Sequence, residues 1–212
     1  MKKRGRPIGQ TLEQLPIRER EFNFLLEYIS NDDSILPHSK KNAIKAFYLL
    51  YFFGFRVGEI CMMKVSEIKF MQKNRKISLG NNTKTKRARE AYVGLEQLGV
   101  LEEVFDEELS SIRMNHEFLF RPWGKNKEHF TENTLQITLN KILHNILGKQ
   151  YGTHSFRRGY ITELSESNVP LKVIQEIIGH QSFATTARYI VATEDVKRVA
   201  VDNIKTVKFA KV

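Results

Sequence analysis

The spacing of apolar residues changes twice along this chain, and those two changes limit its fold more than any other feature. Before about residue 67 the pattern is helical: Phe22, Leu25, Leu26 and Ile29 recur at i, i+3, i+4 and i+7, and Ala43, Ala46, Phe47, Leu50 and Tyr51 form a second stripe. Gly54 stops that second helix, and 57–63 reads as a further short one. Between residues 67 and 93, Ile68 and Phe70, then Ile77 and Leu79, then Ala91 and Val93 alternate with polar neighbours, as half-buried strands do. The spacing predicts a small antiparallel sheet, with a turn at Lys73 and Asn74 and a second beginning at Gly80, which leaves 83–87 near a hairpin tip. Helical spacing resumes over 95–109, 131–147, 154–164 and 170–178, with a last helix from about Asp195. Phe118, Leu119 and Phe120 read as a short buried segment before Pro122. The expected class is mainly α with a small antiparallel β-sheet, an α+β fold.

A chain of 212 residues suits one domain of generous size, here read as 16–194, with a basic arm at 1–15 and a final helix at 195–212. Lys2, Lys3, Arg4 and Arg6 crowd the arm without an acid, and Gly5, Pro7 and Gly9 keep it from forming a helix. Its Lys3-Arg4-Gly5-Arg6-Pro7 segment resembles an AT-hook core, which implies contact with a DNA minor groove. Over the whole chain, 34 Lys and Arg against 24 Asp and Glu leave a charge of +10, the basic balance of nucleic-acid binders. No apolar run approaches the roughly 18 residues of a membrane span. The longest, 46–55, lies too far from the N-terminus for a signal peptide. A single cysteine, Cys61, cannot make an internal disulfide or a structural zinc site and suits a reducing compartment, so a cytoplasmic, nucleoid-associated protein is expected.

Three segments hold polar residues beside stiff local structure. In Gly54-Phe55-Arg56-Val57-Gly58-Glu59 an arginine follows a helix end amid apolar residues, so it must be paired or meet a ligand. A structural pair between Arg56 and Glu59, three apart, is the plain alternative. In Thr153-His154-Ser155-Phe156-Arg157-Arg158, His154 and Arg157 project from one helical face, where a simple surface role competes with anion binding. The third runs from Ile178-Gly179-His180 to Arg188-Tyr189, and Tyr189 by itself reads equally as a half-buried aromatic with a wet hydroxyl.

Taken in order, the three segments resemble the tyrosine recombinase, or phage-integrase, family over about 16–212. That family carries Gly-hydrophobic-Arg-x-x-Glu, a hairpin lysine, His-x-x-Arg, then Gly-His with a tyrosine nine residues after the histidine; here these are Arg56 with Glu59, Lys84, His154 with Arg157, and His180 with Tyr189. Two departures stand out. Ala91-Tyr92-Val93 replaces the usual Val-Pro-Leu-like strand, which leaves Lys86 a rival to Lys84. The length also leaves no room for the family's core-binding domain of roughly one hundred residues, so the chain resembles catalytic-domain-only members such as the fimbrial phase-switch invertases.

The resemblance implies that Arg56 and Arg157 grip a phosphate, His154 and His180 assist, Lys84 protonates the leaving oxygen, and Tyr189 forms a 3′-phosphotyrosyl link to DNA. Glu59 would orient Arg56. Lys2, Lys3, Arg4, Arg6, Lys86, Arg87, Arg158 and Arg188 are expected to contact DNA. A covalent intermediate retains the phosphodiester's energy, and the sequence lacks the paired carboxylates, His-x-His or cysteine clusters of metal nucleases. Neither cofactor nor metal is expected. The partners implied are double-stranded DNA, three further copies of the chain in a tetramer that exchange C-terminal segments, and accessory DNA-bending proteins. A type IB topoisomerase, or a DNA-binding regulator that does not cut, are the alternatives.

Overall fold

The computed structural model describes residues 14–79, 89–111, 116–122 and 128–180, with Ser182, Ala184, Ala187 and Arg198. Its elements in chain order are α1 (Glu19–Asn31), α2 (Pro37–Phe53), α3 (Val57–Cys61), α4 (Val65–Asn74), β1 (Lys76–Leu79), β2 (Arg89–Tyr92), α5 (Leu95–Val104), α6 (Asp106–Ser110), α7 (Glu132–Ile146), α8 (Thr153–Glu166) and α9 (Leu171–Ile178). The architecture is mainly helical with a small antiparallel sheet, as the periodicity predicts. The final helix expected from Asp195 lies outside the described residues, apart from Arg198.

Helix α2 is the central beam because nearly every face of it is apolar. Ala43, Ala46, Phe47, Leu49, Leu50 and Phe53 are all buried. Pro37 starts it without losing a hydrogen bond, since first-turn N–H groups have no helical partner. Gly54 ends it in the left-handed region at φ 57°, where an added Cβ would lie 2.5 Å from the Tyr160 ring. Against this beam α1 stacks Phe22 on Tyr51, with ring centroids 4.0 Å apart, and α8 lays Phe156 on Phe47 at 5.2 Å. The segment before α1 is tied to α8 as well. Ile17 donates to the Ser155 carbonyl at 3.0 Å, and a Cβ on Gly159 would sit 2.0 Å from the Ile17 oxygen, so only glycine permits that approach.

Two sequence expectations need correction. The strand foreseen at Ile68 and Phe70 is part of α4, because Val65, Ile68 and Met71 share a buried helical face while Phe70 is exposed. The Lys64 backbone N–H donates to the Glu67 carboxylate at 2.7 Å and secures the start of that helix; Arg75 at φ 53° ends it and turns the chain into β1. The sheet therefore has two described strands, paired Lys76 with Tyr92 through Leu79 with Arg89. The other correction is at 95–109, which divides at Phe105 (φ −112°, ψ 20°) into α5 and α6. That break lets Phe105 and Glu108 both face inward. The segment around Leu119 is short and buried as expected, held by Leu119 N–H on the Met63 carbonyl at 2.8 Å.

Candidate active site

The end of α9 is where the fold gathers its cations. An α-helix leaves its last carbonyls without helical donors, and its dipole places partial negative charge there. Three arginines from three different elements occupy these carbonyls. Arg89 of β2 donates through Nη1 to Ile177 O at 2.6 Å, Arg157 of α8 through Nη2 to Ile178 O, and Arg56 at the start of α3 through Nη2 to Gly179 O at 3.3 Å. Arg157 also donates to Gly54 O at 2.7 Å, joining the end of α2 to the end of α9. Gly179 is in the left-handed region at φ 70°, and a Cβ there would lie 2.6 Å from Cδ of Arg89. A glycine is thus required both by the turn and by the arginine stem lying over it.

Glu59 is the carboxylate at the centre of this cluster, with only 2% of its side chain exposed. It receives Arg56 twice, from the backbone N–H at 2.7 Å and from Nη1 at 2.9 Å. Arg89 reaches both its oxygens, Nε to Oε1 at 3.2 Å and Nη2 to Oε2 at 2.8 Å. Burial is the largest influence on this carboxyl and works to raise its pKa, but the hydrogen bonds and charges of Arg89 and Arg56 outweigh it and hold the pKa below the ordinary value. Of the arginines, Arg157 and Arg89 are buried, whereas Arg56 keeps 39% of its side chain exposed. The cluster therefore turns one guanidinium outward and anchors two behind it.

Two histidines stand beside these arginines. His154 lies in the first turn of α8, exposed at its edge; partial burial, then the charges of Arg157 and Arg56, lower its pKa despite an opposing pull from Glu132. His180 follows Gly179, its N–H on Gln175 O at 3.2 Å. Burial, then Arg157, Arg56 and Arg89, push His180 down to about 4. Both imidazoles are thus neutral near pH 7, able to donate one hydrogen bond and accept another. Guanidinium forks suit the oxygens of a phosphate, so the arrangement can receive a phosphodiester and spread its charge.

Of the residues singled out from sequence, the structure brings together Arg56, Glu59, His154, Arg157 and His180. Arg158 is half-buried and donates through Nη1 to the Gln14 carbonyl at 2.5 Å. Lys84, Lys86, Arg87, Arg188, Tyr189 and the arm residues Lys2, Lys3, Arg4 and Arg6 lie outside the described residues. Sequence reasoning overlooked Arg89. The signal was available: Arg89 is in phase with Ala91 and Val93, so the alternation aims it inward, and a buried arginine needs an acid. Among the described residues no three His, Cys, Asp or Glu side chains group as a metal site would need, and no helix is long and apolar enough to cross a membrane.

Comparison with known proteins extends this picture. The sequence profile of the phage integrase family matches residues 17–195. A tyrosine recombinase of Thermosipho africanus is 26% identical over 160 residues, covering 75% of this chain and 53% of that protein. Another, from Pseudothermotoga lettingae, is 27% identical over 191 residues, covering 89% and 63%. The chain thus spans between about half and two thirds of these relatives' length. Among solved structures, the Tn1549 transposon integrase in complex with a circular intermediate DNA has the same fold, with a TM-score of 0.67 over 90% of this chain and 66% of that one at 20% identity.

Proposed function

Because this chain belongs to the phage integrase family, we propose that it is a site-specific DNA recombinase that cuts and rejoins strands through a covalent 3′-phosphotyrosyl intermediate. The observation that carries the reading is the meeting of Arg56, Arg157, His154 and His180 at the end of α9. Phosphoryl transfer builds negative charge on the non-bridging oxygens, and a catalyst without a metal must meet it with fixed donors. Arg56 and Arg157 supply that charge, and their place on rigid helix ends means little reorganisation during the reaction. His180 adds a hydrogen bond. His154, neutral near pH 7, positions the phosphate or moves a proton.

Tyr189 is the nucleophile in this reading: His154 takes its phenolic proton as its oxygen bonds to phosphorus and the bond to the 5′ oxygen breaks, and Lys84, or Lys86 in its place, gives that 5′ oxygen a proton. The second strand's 5′ hydroxyl then reverses the step and frees the tyrosine. No metal or cofactor enters. Double-stranded DNA is the substrate, a reading supported by the DNA complex of the similarly folded Tn1549 integrase. The basic arm, Arg87, Arg158 and Arg188 add backbone contacts. Two sites are joined in a tetramer with help from DNA-bending proteins, and residues 195–212 pass between neighbours. Inversion of the fimbrial phase-switch kind is one outcome this chemistry serves, alongside integration and resolution.

The test is a nicked suicide substrate whose cleaved strand diffuses away. Wild type is expected to give a denaturation-resistant protein–DNA band and Tyr189→Phe none, with DNA affinity unchanged. A band from the mutant moves the nucleophile elsewhere. A wild type that never forms one on its own recombination site leaves the non-cleaving regulator as the better reading.

A further inference from the structure

Arg89 has no part in the reaction just described, yet it ties three parts of the site together, the Glu59 carboxylate, the end of α9 and β2. Its three donor nitrogens are all engaged: two on the two oxygens of Glu59, the third on Ile177 O. Its guanidinium lies over the Phe55 ring at 5.6 Å, and its stem crosses Gly179. With Nε and Nη2 both taken by Glu59 and Nη1 by a carbonyl, its guanidinium is committed to holding the site together. What it can do is fix the carboxylate that in turn fixes Arg56, and fix the helix end from which His180 emerges. Arg89 also pairs with Leu79 at the last described rung of the sheet.

We propose that Arg89 is a positioning residue for strand cleavage, locking Glu59 and the end of α9 to β2 so that Arg56 and His180 stand in fixed register with one another and with the sheet. The inference rests on the recombinase reading. It differs from a plain buried ion pair in one respect: through Glu59, Arg89 sets the direction of an exposed guanidinium aimed at phosphate charge. Among the described residues, loss of Arg89 leaves Glu59 with Arg56 as its partner, and the carboxylate then follows the arginine instead of directing it.

The experiment uses the full chain with Arg89→Gln and Arg89→Lys, and compares cleavage of the suicide substrate at saturating DNA with DNA affinity and with thermal unfolding. Cleavage by Arg89→Gln is expected to fall about 100-fold, the scale of an ångström-sized misplacement, with affinity within about threefold of wild type. Arg89→Lys keeps the charge but cannot fork between Glu59 and Ile177, so it should recover part of the rate; if the glutamine variant does not fold, the lysine variant carries the measurement. A second substrate bears a methylphosphonate at the scissile position and so has no charge for Arg56 to meet. There the gap between wild type and variant should shrink to within about threefold, because a misdirected Arg56 no longer matters. An equal gap on both substrates makes Arg89 merely structural and overturns the inference, as does wild-type cleavage by a folded Arg89→Gln. A wild type that forms no adduct overturns the recombinase reading and takes this inference with it.

Discussion

Two buried cationic regions of this protein solve the same problem differently. Lys45 of α2 meets Glu108 of α6 with 5% and 8% of their side chains exposed, and Lys45 Nζ also sits 5.8 Å from the centroid of the Phe105 ring. One cation faces one anion, and the charge there cancels. At the end of α9, three guanidinium groups converge: Glu59 accepts from two of them, Arg56 and Arg89, and carbonyl dipoles of Gly54, Ile177, Ile178 and Gly179 receive further donors from all three. Dipoles satisfy N–H groups without cancelling net charge. The first region is finished without a ligand, whereas the second keeps a positive field that an anion completes. A buried pair alone would have been weak grounds for function. An excess of one sign, held rigidly beside two neutral histidines, is stronger.

The comparison breaks most visibly at Arg157. Arg157→Ala removes one of the two proposed phosphate donors and strands the Gly54 and Ile178 carbonyls, so cleavage should fall about 1000-fold, and urea unfolding should show a loss of about 3 kcal/mol. Wild-type cleavage by this variant would mean the α9 cluster is as inert as the Lys45 pair. That pair gives the converse. Lys45→Met leaves Glu108 buried and unpaired and should lower stability by about 3 kcal/mol, while the folded fraction cleaves at the wild-type rate. Lys45→Met combined with Glu108→Leu should return most of the stability. A double variant as unstable as the single one would show that the pair does more than cancel itself.

Gly179 sharpens the contrast on a smaller scale. Gly179→Ala must place a Cβ at φ 70° and displace the Arg89 stem, at a cost of about 2 kcal/mol. Because Arg89 and Arg56 are both attached there, cleavage should drop about tenfold at saturating DNA, with affinity nearly constant. An affinity loss equal to the rate loss would place the fault in binding instead.

How much of this was readable from sequence follows from the range of each signal. Gly54, Arg56, Glu59, His154, Arg157, Gly179 and His180 were legible because each lies in a short motif at a helix end, where local chemistry decides conformation. The long helices were legible through their stripes, and β1 and β2 through Ile77, Leu79 and Ala91. The error at Ile68 and Phe70 arose because two apolar residues two apart satisfy either period; Val65 and Met71 decide it, once Glu67 is recognised as the residue capping the helix start. Phe105 divided a continuous pattern because Glu108 had to reach Lys45, 63 residues away. The link from Arg89 to Glu59 spans 30 residues and crosses α4 and β1, so the strand's alternation hinted at burial while the partner depended on tertiary structure.

The smallest effect should come from protonation, and its sign separates the two regions once more. His180 has its pKa lowered from an ordinary 6.5 to about 4, with Arg157, Arg56 and Arg89 facing it. His154 is lowered too, facing Arg157, Arg56 and Glu132. As pH falls below 6.5 the unfolded chain takes up protons that the folded chain refuses until about pH 4, so stability present above pH 6.5 is lost across that window. Between pH 7 and pH 5 the loss assignable to His180 should be about 1 kcal/mol after screening by solvent, read as the difference in urea midpoint between wild type and His180→Gln. Glu59, with its pKa held low, stays ionised there and does not contribute. A phosphate seated on the arginines would offset their charge and raise the His180 pKa, so DNA should bind more tightly as pH falls and restore part of the lost stability. The Lys45 pair has no such response to DNA. If His180→Gln has the same pH dependence as wild type with and without DNA, His180 is not in the field of the three arginines, and the excess charge at the end of α9 is already cancelled.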